Sequence, residues 1–315
     1  MKKILKYVGI IIGIIVFVAL CAALYIHITG IPSYEVQKID FQLKSTSQSI
    51  ERGKKLAILL CAHCHTNEET GKLTGTHMTD APPEFGFIYS QNITQDKEYG
   101  IGDWTVSELV YLLRTGIKKD GNYAPPWMAK LPNMADEDIN AIVSFLKSDD
   151  PMVAAEHIPD VECRPSFLTK FLTRVAFKPF SMPAKRIEMP DTSNKVALGK
   201  YLAYNLECFS CHSADFKTNN YLEPELSVGY FAGGNKPLNK EGKVIVTPNL
   251  TPDQETGIGN WTEEKFVRVV KSGIKVGEPS LQYPMVPFAN LTDKEASSIY
   301  TYLRTIPAIK NKIIR

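Results

Sequence analysis

The chain has 315 residues, 44% of them hydrophobic, and 36 basic against 34 acidic side chains give a net charge of +2. That length fits one to three domains, and that apolar share supports ordinary buried cores. The near-balanced charge gives no electrostatic argument for a nucleic-acid partner.

Residues 7–26 are almost wholly apolar and carry no charge. A run of 20 residues is long enough to cross a bilayer as a helix. Lys2, Lys3 and Lys6 precede it, which keeps the N-terminus in the cytoplasm and exports everything beyond about residue 30. A cleaved signal peptide is the rival reading, and Cys21-Ala22-Ala23 would serve as a cleavage site. The run exceeds the ~7–15 apolar residues of a signal sequence, which favours a retained anchor over residues 1–30. Leu20 is a poor small residue for lipoprotein processing at Cys21.

The next feature is Cys61-Ala62-His63-Cys64-His65, with a second copy at Cys208-Phe209-Ser210-Cys211-His212. With six Cys and six His in the chain, chance placement gives about 0.002 matches to C-x-x-C-H. Each copy reads as a covalent attachment site for a c-type haem, with the two cysteines as thioether positions and the histidine as an axial iron ligand. A zinc site would need both pairs to converge on one metal, and gives no reason for a histidine after each. A thioredoxin-like pair would need a surrounding βαβ pattern, which is absent. Attachment of c-type haem outside the cytoplasm agrees with export. Cys163 has no evident partner and reads as a free thiol.

An internal repeat follows. At an offset of 157, Asn92-Ile93-Thr94 falls on Asn249-Leu250-Thr251, and Gly100-Ile101-Gly102-Asp103-Trp104-Thr105 on Gly257-Ile258-Gly259-Asn260-Trp261-Thr262. Arg114 through Lys118 falls on Lys271 through Lys275, Met128 on Met285, and Met134 on Leu291. The haem motifs are offset by 147, so the second copy has ten more residues between motif and repeat. The chain is read as a duplicated small domain, with copies at 45–150 and 194–310.

Each copy reads as helical. Helices are predicted at 49–60 and 195–207, leading into the two motifs. Thr105-Val106-Ser107-Glu108 is a capping box for a helix that stops at Gly116, and its counterpart runs from Thr262 to Gly273. A last helix is predicted at 136–147, and its partner starts at the capping box Thr292-Asp293-Lys294-Glu295 and ends before Pro307. No alternating strand pattern appears. The fold class is therefore all-α: two tandem class I cytochrome c domains after one N-terminal transmembrane helix. Residues 151–193 hold six prolines and read as a linker, with Phe167, Phe171, Phe177 and Phe180 expected to pack on the domains.

The second axial position decides the chemistry. Met or His there leaves electron transfer, whereas a vacancy permits ligand binding or catalysis. The repeat selects Met128 and Met285, each on a Pro-rich loop before the last helix. Met134 and Leu291 look like an apolar exchange in a core. His77 and Met78 compete for the first iron; His63, His27 and His157 lie in unsuitable places. Trp104 and Trp261 either pack on a haem edge, donate their N–H to a propionate or pack at a helix start, and Arg114 and Lys271 either pair with propionates or compensate a helix C-terminus. Tyr99, paired with Thr256 in the repeat, is expected to be peripheral.

The run Asn249-Leu250-Thr251-Pro252-Asp253, then Thr256-Gly257-Ile258-Gly259-Asn260-Trp261-Thr262, with Pro284-Met285 and Tyr300-Thr301-Tyr302-Leu303, resembles the haem domains of membrane-anchored multi-haem cytochromes c. These are similar to the cytochrome subunit of bacterial membrane-bound alcohol and gluconate dehydrogenases. The resemblance implies Cys61, Cys64, Cys208 and Cys211 as thioether sites, and His65, His212, Met128 and Met285 as iron ligands. Those subunits typically carry three haem domains and often a C-terminal anchor, so the domain type carries over and the dehydrogenase partner does not. The expected function is electron transfer on the periplasmic side of the inner membrane. The two haems would link a dehydrogenase or quinol donor to a downstream cytochrome or oxidase. A di-haem peroxidase or thiosulfate-oxidising enzyme is the alternative; a gas sensor would need an output domain that is not visible.

Overall fold

A computed structural model describes residues 1–275, 277 and 279–313; the expected second domain thus includes two positions, 276 and 278, outside the described residues. The first helix, α1 (Lys2–Thr29), buries none of its residues. It meets the rest of the chain at its last turn, against a short helix described below.

The first copy is built from α2 (Ser47–Leu60), α3 (Ala62–His65), α4 (Val106–Thr115) and α5 (Asp136–Leu146). The expected capping box forms at α4: the Thr105 hydroxyl accepts from Glu108 N–H at 3.2 Å and the Glu108 carboxylate from Thr105 N–H at 2.7 Å. Gly116 ends α4 in the left-handed region at φ 82°. Leu56, Val110, Met134, Ile139, Ile142 and Phe145 form the core.

In the second copy, α7 (Lys195–Asn205), α8 (Cys208–His212), α9 (Glu263–Ser272) and α10 (Asp293–Leu303) repeat the plan. The α10 capping box forms and Gly273 ends α9 at φ 73°. Here the core holds Leu198, Leu202, Phe231, Phe266, Leu291 and Leu303. Met134 and Leu291 are 1% and 2% exposed, so the exchange is one of core apolar groups. The bounds predicted for α2, α4, α5, α7 and α9 match to within two residues, whereas α10 stops at Leu303, short of Pro307, and α1 extends beyond the apolar run at both ends.

In each copy the helix leading to the motif crosses the last helix at a glycine. A Cβ on Gly53 would lie 1.8 Å from the Ala141 carbonyl oxygen, and one on Gly199 would lie 1.9 Å from that of Ser298. Only a residue without a side chain lets the two backbones touch there.

The copies hold each other reciprocally. Lys55 of α2 pairs with Glu295 of α10. In the opposite sense, Tyr201 of α7 donates its hydroxyl hydrogen to Asp138 of α5 at 2.7 Å and accepts from Ala135 N–H at 3.1 Å. Lys55 and Tyr201 occupy equivalent places in their helices, as do Asp138 and Glu295.

The linker is more structured than its composition suggests. Arg164–Pro165 (β2) pairs antiparallel with Gly86–Phe87 (β1), and α6 (Phe167–Val175) follows, capped by Ser166. Phe177 and Phe180 are half-buried as expected, with Phe180 6.2 Å from the Tyr221 ring. Phe167 and Phe171 are 45% and 40% exposed, against expectation. The cause is the face they occupy: α6 turns Thr169 and Thr173 inward and its phenylalanines outward. The Ser166 cap after Pro165 and the i, i+4 phenylalanine pair were the sequence signs of this helix.

Candidate haem sites

All eight residues singled out by the motifs and the repeat line one cavity of about 2790 Å³ that runs through both copies. Drug-sized ligands occupy roughly 300–1,000 Å³, so this space suits more than one large group. Cys61, Cys64, His65 and Met128 stand in the wall from the first copy, and Cys208, Cys211, His212 and Met285 in that from the second.

The histidines are set alike. His65 Nδ1 lies 2.7 Å from the Gln91 carbonyl oxygen, and His212 Nδ1 lies 3.0 Å from that of Pro248. Gln91 and Pro248 are equivalent in the repeat. A carbonyl oxygen only accepts, so Nδ1 carries the hydrogen and, in the neutral ring, Nε2 keeps its lone pair for a metal. Desolvation holds His65 below the ordinary imidazole value, which favours that neutral form. One backbone bond fixes the turn after each motif: Gly75 N–H to His65 O at 2.9 Å and Gly233 N–H to His212 O at 2.7 Å.

The methionine loops are also set alike. In the first copy Ala124 N–H bonds Gly116 O at 2.7 Å, Met128 N–H bonds Pro125 O at 3.0 Å, and Leu131 N–H bonds Leu113 O at 2.7 Å. The second copy repeats each bond at the same offset: Leu281 to Gly273 at 2.9 Å, Met285 to Gln282 at 3.0 Å, and Phe288 to Val270 at 2.8 Å. Two different loop sequences thus share three backbone bonds, with a thioether at the same position in each.

Arg114 braces the first loop and reaches no cavity anion. It is 2% exposed, donates to the carbonyls of Leu131 at 2.8 Å and Met134 at 2.6 Å, and pairs with Asp136 at 2.5 Å. Lys271 makes the corresponding pair with Asp293. Arg114→Met should strand two buried carbonyls and a carboxylate, at about 3 kcal/mol. Lys271→Met should cost less than about 1 kcal/mol, because that pair is exposed. Thermal melts of the two variants check the difference.

Of the competitors for the first iron, Met78 is buried and lines the cavity, whereas His77 is exposed and stacks on Tyr89 at 4.9 Å. His157 pairs with Asp96 at 3.1 Å. Trp104 and Trp261 stand in the cavity wall and also touch the cores. Tyr99 reaches the cavity edge rather than staying peripheral. Cys163 is a free thiol that donates to Tyr89 O at 3.1 Å and accepts from its N–H at 3.3 Å.

The donor set fits a c-type haem in each copy. Burial in apolar surroundings pushes the Cys61, Cys64 and Cys208 thiols up to about 12 and Cys211 up to about 11. Among the described residues no group of three or more His, Cys, Asp and Glu is placed to hold a metal ion by itself. A thiol pair, an adjacent histidine with Nδ1 tied back, and an apolar cavity wall are the requirements of a haem held through thioethers.

Comparison with known proteins agrees. The chain is 31% identical over 282 residues to the fructose dehydrogenase cytochrome subunit of Gluconobacter japonicus, covering 82% of this chain and 53% of that one. It is 28% identical over 273 residues to the cytochrome c subunit of a quinone alcohol dehydrogenase of Gluconobacter oxydans, covering 82% and 55%. It is 25% identical over 263 residues to a diheme cytochrome c-type protein of Cereibacter sphaeroides, covering 79% and 83%. The chain spans about half the length of the two dehydrogenase subunits. The cytochrome c family profile matches twice, over residues 50–149 and 196–307, which are the two structural copies, and the chain therefore belongs to the cytochrome c family.

Proposed function

We propose that the protein is a membrane-anchored di-haem electron carrier on the periplasmic side of the inner membrane. Its donor is a dehydrogenase or a quinol system, and its acceptor is another cytochrome or an oxidase. The domains are residues 45–150 and 194–310, and α1 is the anchor. The observation that supports this reading best is the repeated wall: a Cys pair, a histidine with Nδ1 tied back, and a methionine on a loop braced by the same three backbone bonds.

When bound, each haem supplies a one-electron couple at its iron. The protein residues fix its setting. Cys61 with Cys64, and Cys208 with Cys211, would hold the macrocycle covalently. His65 and His212 offer Nε2, made more basic by the carbonyls of Gln91 and Pro248. Met128 and Met285 would supply the thioether ligands, which would raise the reduction potential of each iron. The names of the relatives support a sugar- or alcohol-oxidising dehydrogenase as the donor.

A visible spectrum of the reduced, detergent-solubilised holoprotein, with and without carbon monoxide, tests the closed sites. An unchanged spectrum is expected. A rapid shift in half of the haem would expose one open iron, and the reading would pass to the di-haem enzyme.

A further inference from the structure

We propose that α6 is a second membrane contact, an interfacial helix lying on the outer leaflet beside the end of α1. The inference rests on the reading of α1 as a membrane span.

The polarity of α6 is inside out. Thr169 and Thr173 are 0% exposed, whereas Phe167, Leu168, Phe171 and Val175 are 40–59% exposed. Positions 167, 171 and 175 recur at four-residue spacing and so share one face. A helix on a water-soluble surface turns its apolar stripe to the core; this one turns it away. The neighbouring strand extends the patch with Phe87, 63% exposed. Contiguous exposed apolar surface of this kind marks a contact with lipid or protein.

Position decides for lipid. Lys170 donates to the His27 carbonyl at 3.2 Å, and Arg174 donates to Thr29 Oγ1 at 2.6 Å and to Gly30 O at 2.9 Å. The Arg174 guanidinium also stands 5.3 Å from the Tyr25 ring. These partners lie at the end of the apolar run 7–26 or within four residues past it. A span of that length puts them at the headgroup level, where Tyr rings and snorkelling Lys and Arg collect. The bonds to α1 fix α6 at the same level. Its charged side chains, Lys170 and Arg174, are both basic, and Lys178 follows, which complements anionic lipid. A short helix with an apolar face and basic margins at that depth sinks its apolar face about 5–10 Å into the headgroup and acyl boundary.

The test uses full-length, haem-loaded protein in phosphatidylglycerol-containing vesicles, with Cys163→Ala throughout. A nitroxide on native Cys21 reports α1. A nitroxide on Phe171→Cys, with Cys21→Ser, reports α6, and one on Lys294→Cys, with Cys21→Ser, is the water reference. Relative accessibility to oxygen and to a water-soluble nickel chelate gives depth. The label at 171 should favour oxygen, between the deep label at 21 and the chelate-accessible one at 294. A label at 171 as chelate-accessible as that at 294, with the label at 21 still in lipid, would overturn the proposal and leave the anchor standing. A label at 171 shielded from both reagents would mean that protein covers the face, and would overturn it too. A chelate-accessible label at 21 would remove the anchor reading, whatever the label at 171 shows.

Discussion

Gly199→Ala is expected to unfold or misassemble the second copy. The new Cβ would stand 1.9 Å from the Ser298 carbonyl oxygen and 2.8 Å from Tyr302 Cβ, so α7 and α10 would have to part along their crossing. In a free helix interior the same change would gain about 1 kcal/mol of propensity, and overpacking of this severity should instead cost at least about 3 kcal/mol. The sign of the effect is therefore the test. Gly53→Ala in the first copy meets the Ala141 carbonyl at 1.8 Å and should behave alike. Gly9→Ala in α1, where a Cβ meets nothing within 4 Å, is the control and should not destabilise. Denaturant midpoints of the purified holoproteins decide the matter; a stable Gly199→Ala protein would refute the tight crossing.

Met285→Ala should open the second iron. The variant keeps the backbone bonds of its loop, so the wall stays in place while the thioether is lost. Carbon monoxide should then bind rapidly to half of the haem. The potential of that half should fall by on the order of 0.1 V, a fraction of the ~0.8 V over which axial ligands tune haem iron. Met128→Ala should do the same for the first copy. Met78 lines the cavity too, and Met78→Ala should leave the reduced spectrum unchanged. A potential that stays put in Met285→Ala, or moves in Met78→Ala, would reassign the ligands.

The local chemistry was legible because it is written in short spacings. C-x-x-C-H needs five consecutive residues, and the capping boxes at Thr105 and Thr292 need four, so no tertiary knowledge was required. The repeat then made Met128 and Met285 stand out from Met134, whose partner is a core leucine. What stayed hidden depends on a partner distant in the chain. Gly53 and Gly199 look like weak points of their helices until the facing carbonyls are known. Arg114 has the composition of an anion ligand and spends its donors on the carbonyls of a loop 17–20 residues away. The α6 helix has an ordinary amphipathic pattern, and no pattern states which face meets the protein.

The reciprocal contacts between the copies have a consequence for the direction of electron flow. Lys55 on Glu295 and Tyr201 on Asp138 are the paired contacts of a two-fold dimer, here made within one chain. A true symmetric dimer encodes its two sites once, so they share one potential and favour neither end. Fusion releases them to diverge, and they have: an ion pair on one side is a tyrosine hydrogen bond on the other, and the buried Arg114 faces the more exposed Lys271 in the repeat. Two sites encoded separately are free to take different potentials, which would give a step between them a downhill sense that an identical pair lacks.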